Sequence, residues 1–116
     1  MGSSSFEELD VYRLATRLSD EIRRTTVRWE APDLWTLGVQ MIRAADAVGA
    51  DIAEAFGRGT RPDQLRFLFM ARGSAYELQH WLARADARGL RHPDDSRQHA
   101  LRVGQMLNRL IRSLRR

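Results

Sequence analysis

The chain has 116 residues, enough for one domain with a small hydrophobic core. It contains no cysteine, which excludes disulfides and thiolate metal sites and fits a reducing, cytoplasmic setting. Its net charge of +4 rests on 19 basic residues, all of them arginine, a side chain that is always charged and forks onto phosphate or carboxylate.

The opening stretch MGSSSFEELD has no apolar h-region, so no signal peptide is expected. No apolar run approaches the roughly 20 residues needed to cross a bilayer, so no membrane partner is expected. A first helix is predicted from about Phe6 to Val27, with Ser5 and Glu8 at capping-box spacing. Val11, Leu14, Ala15, Leu18, Ile22 and Thr25 form its apolar stripe. Pro32 then interrupts the helical run. A second helix follows from about Asp33 to Phe56 and stops at the glycines of GRG. Thr60, Pro62 and Asp63 mark the start of a third helix that reaches about Ala87: a cap, a first-turn proline and the capping-box acid. Gly89 stops it, Pro93 restarts the chain, and a fourth helix runs from about Asp94 to Leu114. Short connections make neighbours antiparallel, so the expected fold is all-α, a single up-down-up-down four-helix bundle over residues 1–116.

Two helices carry more apolar surface than one bundle core needs. On the third, Phe67, Ala71, Ser74, Leu78, Leu82 and Ala85 suit the core, while Leu65, Phe69, Gly73, Tyr76 and His80 lie nearly opposite. On the second, Leu34, Met41, Ala45, Val48, Ile52 and Phe56 make the core stripe. Ile42, Gly49 and Ala53 widen it on one side, and Ala44 and Ala47 on the other. Large exposed apolar patches mark contact surfaces, so a homo-oligomer is expected, held by Leu65, Phe69, Gly73, Tyr76, His80, Ile42, Gly49 and Ala53. The alternative is a scatter of surface apolar residues. The carboxylates of the small-residue stretch 45–59 are read as structural: Glu54 and Arg58 pair at i, i+4, and Asp51 needs a partner such as Arg58, Arg43 or Arg72.

At this stretch the sequence resembles a known family. QMIRAADAVGADIAEAFGR (40–58) is similar to the signature Q-I-R-R-A-A-x-S-I-x-x-N-I-A-E-G-x-x-R of the small four-helix bundle proteins, also called 23S rRNA intervening-sequence proteins. FLFMARGSAYELQHWLARA (67–85) resembles their second signature, and FEELDVYRLATRL (6–18) their usual opening. Ala47, Asp51 and Ala55 depart from the pattern, which has Ser, Asn and Gly there; a carboxylate at 51 cannot donate as the amide would. The resemblance implies a left-handed antiparallel bundle, commonly a ring-like homopentamer. A related branch is the accessory variability proteins of diversity-generating retroelements, whose basic pentamers bind nucleic acid and partner a reverse transcriptase.

Catalytic signals are weak. Glu77 and His80 have E-x-x-H spacing, but a di-metal bundle site needs two such motifs and two further glutamates, so no metal and no cofactor is expected. His92 and His99 are expected in solvent. No nucleophile elbow or phosphate-cradling glycine loop is present, so the chain is not expected to be an enzyme. The stronger signal is charge. Residues 88–116 hold eight Arg and two Asp, a net +6, against −2 for the rest. On the fourth helix Gln98, Arg102, Gln105, Arg109, Arg112 and Arg116 share one face, opposite Ala100, Val103, Leu107, Leu110, Ile111 and Leu114. Such a stripe can track the phosphates of RNA or DNA, with Arg102, Arg109, Arg112 and Arg116 as contacts. The alternatives are a solvated helix face and a purely scaffolding oligomer.

Overall fold

The computed structural model describes residues 6–116, which fold into four helices forming a rod of 44 × 20 × 20 Å. A 3-10 turn (Phe6–Glu8) precedes α1 (Asp10–Thr26). A π-helical turn (Leu34–Gly38) runs into α2 (Val39–Phe56), followed by α3 (Arg61–Ala87) and α4 (Ser96–Arg115). Each helix packs on its neighbours in chain order, and α1 closes the ring on α4. This is the expected all-α four-helix bundle. None of the helices among the described residues is long and apolar enough to cross a membrane.

α1 is shorter than expected at its start. Leu9 is extended (φ −70°, ψ 129°), so the helix begins at Asp10; the Ser5 cap lies outside the described residues. The buried stripe ends on Thr26 rather than Thr25, because Gly38 closes over it: a Cβ built on Gly38 would meet the Thr26 methyl at 3.0 Å. The second helical run does not start as an α-helix. Its first turn is widened, with the Gly38 N–H bonded to the Asp33 carbonyl five residues back (2.9 Å). At the other end of α2, Gly57 stays right-handed (φ −80°), so the helix ends without the glycine-specific conformation expected there. Gly89 does use it, at φ +68°.

The start of α3 follows the sequence closely. The Asp63 N–H donates to Thr60 Oγ1 (3.4 Å), and Pro62 occupies the first turn. Its core face is rotated from the expected one. Leu68 and Ala75 join Ala71, Leu78, Leu82 and Ala85 in the interior, while Phe67 and Ser74 are half-buried. A helix with neighbours on two sides buries more than one stripe, and Phe67 and Ser74 fall on the α2 flank. The wide stripe of α2 has the same cause. Gly49 is buried against α1, where a Cβ would meet Thr16 Cγ2 at 3.1 Å, and Ala53 lines the same α1–α2 groove as Tyr12. Ala44 is buried in the core.

One end of the rod is tied by polar contacts. Trp29, buried after α1, donates its indole N–H to the Arg91 carbonyl in the α3–α4 connection (2.7 Å). His92 sits there as well, and it is not in solvent as expected. Its side chain is 13% exposed, with Nε2 2.5 Å from Asp86 Oδ1 and Nδ1 2.6 Å from Ser96 Oγ. The helix-ending turn folds the imidazole back over Ser96, which is fully buried. His99 is half-buried on α4. α4 begins at Ser96, two residues later than expected, because Asp95 adopts a left-handed conformation (φ 60°).

Candidate nucleic-acid interface

α4 is amphipathic because its apolar residues recur at helical spacing. Ala100, Val103, Leu107, Ile111 and Leu114 are buried, with Gly104 beside them, and Leu110 is half-buried at the α1 flank. That seating leaves Gln98, Arg102, Gln105, Arg109, Arg112 and Arg116 exposed on the other side. From Arg102 to Arg116 the face runs about 21 Å at about 1.5 Å per residue. None of Arg102, Arg109, Arg112 or Arg116 ion-pairs with a carboxylate among the described residues. Arg58 and Arg66 on other elements do, and so does Arg97 in the first turn of α4. A shallow depression lined by Gln105, Asn108, Arg109 and Arg112 marks the middle of the face. A second, lined by Arg102, Met106, Arg109 and Leu110, opens towards Leu9, Asp10 and Val11 at the start of α1.

Arg115, at the far end of α4, is also drawn off the stripe. Arg115 turns to α3 and stacks on Phe69, with Cζ 4.9 Å from the ring centroid; Arg72 stacks at the same distance. Arg72 also donates to Asn108 Oδ1 (3.0 Å), and Asn108 donates to the Tyr76 hydroxyl (3.4 Å). Neither Asn108 nor Arg115 stood out in the sequence. Their signal is position: both fall on the α3 flank of α4, between the core and the arginine stripe.

The outward residues of α3 divide. Leu65 and Phe69 are half-buried, Phe69 under its two arginines. Gly73, His80 and Tyr76 are exposed, Tyr76 at 48% with its ring edge over Gly104. Ile42 is half-buried on α2.

The acids of α2 are held by partners. Glu54 pairs with Arg58, which also reaches Asp63 (3.6 Å) and stacks on Phe67 (4.4 Å to the centroid). Asp46 accepts from the Ser19 hydroxyl. Asp51 is not met by arginine as expected: its side-chain partner is the Ser74 hydroxyl on α3, and Arg72 is committed to α4. Burial raises the Asp51 carboxyl above its usual range, the Ser74 hydrogen bond lowers it part of the way, and the Glu54 charge raises it further. Glu77 accepts from the Trp81 indole (3.1 Å), and His80 meets the Trp81 ring edge-on. Among the described residues no group of three or more His, Cys, Asp or Glu could hold a metal ion.

One family model, that of the 23S rRNA-intervening sequence proteins, matches residues 7–112. No curated protein matches the chain.

Proposed function

The chain belongs to the 23S rRNA-intervening sequence protein family, and from that premise we propose that it binds RNA or DNA non-specifically through the α4 arginine face, as a homo-oligomer. It is a helical bundle of a non-enzymatic family, so binding rather than turnover is the activity to account for. The observation that carries the reading is that Arg102, Arg109, Arg112 and Arg116 are exposed together and without a carboxylate partner among the described residues. Guanidinium groups fixed along one helix face attract phosphate and release its counterions on contact. Base edges are not addressed by such a face, so the binding is sequence-independent.

Self-association would strengthen that binding. Copies meeting over the outward residues of α3 would repeat the arginine face, and weak phosphate contacts would gain by avidity. The residues proposed for that contact are the exposed Gly73, Tyr76 and His80, flanked by the half-buried Leu65 and Phe69. Gly49 and Ala53 line the α1–α2 groove of the chain's own bundle, while Ile42, half-buried on α2, stays a proposed contact residue. A ring-like pentamer serving a reverse transcriptase is the finer form of this proposal, and it rests on the family resemblance alone. The test is filter binding of an oligonucleotide at several salt concentrations. Arg102, Arg109 and Arg112→Gln together should abolish most of the low-salt affinity. Retained affinity leaves the second reading, a scaffolding oligomer, which the exposed ring of Tyr76 favours.

A further inference from the structure

The α4 stripe ends near the middle of the rod, and further arginines follow beyond it on α1. α1 carries Arg13, Arg17 and Arg24, all exposed, with the exposed Asp20 between the last two on the same face. Spaced by four and seven residues, they fall within an arc of about 40° at about 100° per residue. None of them ion-pairs with a carboxylate among the described residues; Arg13 donates through Nε to the Glu7 carbonyl (3.1 Å). α1 packs on α4 and runs antiparallel to it. Leu9, Asp10 and Val11 lie against the Arg102–Leu110 stretch, while Thr25, Arg28 and Trp29 lie against Arg91–Asp94. The two arginine series are therefore staggered. Arg116, Arg112 and Arg109 occupy one end of the rod. Arg102 and Arg13 come level beside the α1–α4 seam. Arg17 and Arg24 then carry the charge to the other end.

We infer that this staggered series is one nucleic-acid-binding track running most of the 44 Å rod, with α1 as its second half, and that it takes a duplex. The inference rests on the nucleic-acid reading of α4 and extends it to residues on another helix. Two observations select a duplex. First, exposed aromatic side chains lie off the track: Trp35 belongs to a depression with Gln40, Trp81 and Arg88, and Tyr76 leans on the α3 side of α4. Single strands are held largely by stacking on aromatic rings, whereas a duplex keeps its bases inside and offers only backbone. Second, the arginines stand on two rigid, adjacent helices, staggered along the rod. A stiff duplex meets such a series without the ordering cost of a flexible strand, and one helical turn spans about 34 Å. Asp10 sits at the handover between the two series, so the backbone is gripped by the outward guanidinium groups and not by the floor of the seam.

The test is binding of a duplex about two turns long, as RNA and as DNA, beside an unstructured single strand of the same length, over a salt series. The full chain is compared with Arg13, Arg17 and Arg24→Gln together, and with Arg102, Arg109 and Arg112→Gln together. All six positions are exposed, and circular dichroism verifies that both variants fold. The α1 variant should bind either duplex at least about tenfold more weakly at low salt and lose roughly 0.9 unit of salt slope per missing contact. The single strand should bind more weakly than both duplexes, and the preferred duplex, RNA or DNA, identifies the natural form. An α1 variant equal to the parent, with the α4 variant impaired, overturns the inference and leaves the proposed function standing. A single strand that binds more tightly than both duplexes also overturns it. Absence of binding by the parent at low salt removes both.

Discussion

Asp51 and Asp86 are two carboxylates whose surroundings push them in opposite directions, and each leaves a distinct pH signature. Burial between α2 and α3 raises Asp51 above its ordinary value of 3.8. Its ionised form is therefore penalised in the folded chain at neutral pH, and the penalty is relieved as pH falls through the raised value. Asp51→Asn keeps an acceptor for Ser74 and removes the charge. Its melting temperature should exceed the parent's at pH 7, with the gap closing below pH 3.8. Asp86 is held below its ordinary 3.8 by hydrogen bonds from His92 and then Arg97. That contribution is present above 3.8 and is lost as pH falls through the lowered value. Asp86→Asn should accordingly melt below the parent at pH 7 and converge with it in acid. Thermal melts across pH check both, and a gap of the wrong sign at either position contradicts the assignment.

The joints between helices depend on a few long-range contacts. Trp29 connects the end of α1 to the α3–α4 connection through the Arg91 carbonyl. Trp29→Phe keeps an aromatic ring but removes the donor, and should cost about 1–2 kcal/mol, read as a lower denaturant midpoint with unchanged slope. An unchanged midpoint would mean that the two loops are joined by packing alone. This contact also marks where sequence reading stops. The start of α3 was legible because Thr60, Pro62 and Asp63 act within one turn. The widened turn at Leu34–Gly38 was not, because it sets Gly38 against Thr26, a contact between distant residues. Periodicity likewise located a buried face on α3 but could not choose Leu68 over Phe67, since Phe67 is covered from the side by Arg58 and Arg66. On α4 the arginine face was readable from spacing alone. Arg115 was not separable from it, because only the packed bundle supplies Phe69 as its partner.

At the scale of the molecule, much of the apolar surplus that pointed to self-association is used inside one chain. α2 lies between α1 and α3, and Phe69 is covered by arginines. What remains outward on α3 is Tyr76 with Met70, Gly73 and His80. Tyr76→Glu places a charge at the centre of that patch, so it should reduce an oligomer to the 13.4 kDa chain in light scattering while leaving helicity intact. A parent already monomeric at high concentration would leave the arginine face to act singly, without avidity. Either way, the account turns on whether the unpaired guanidinium groups meet phosphate. The most direct measurement is the logarithm of the binding constant for a nucleic-acid duplex against the logarithm of salt concentration. A straight fall is expected, with a slope of about −3.6 or steeper, from roughly 0.9 unit for each of four α4 arginines. No affinity at low salt, or affinity that ignores salt, would contradict it.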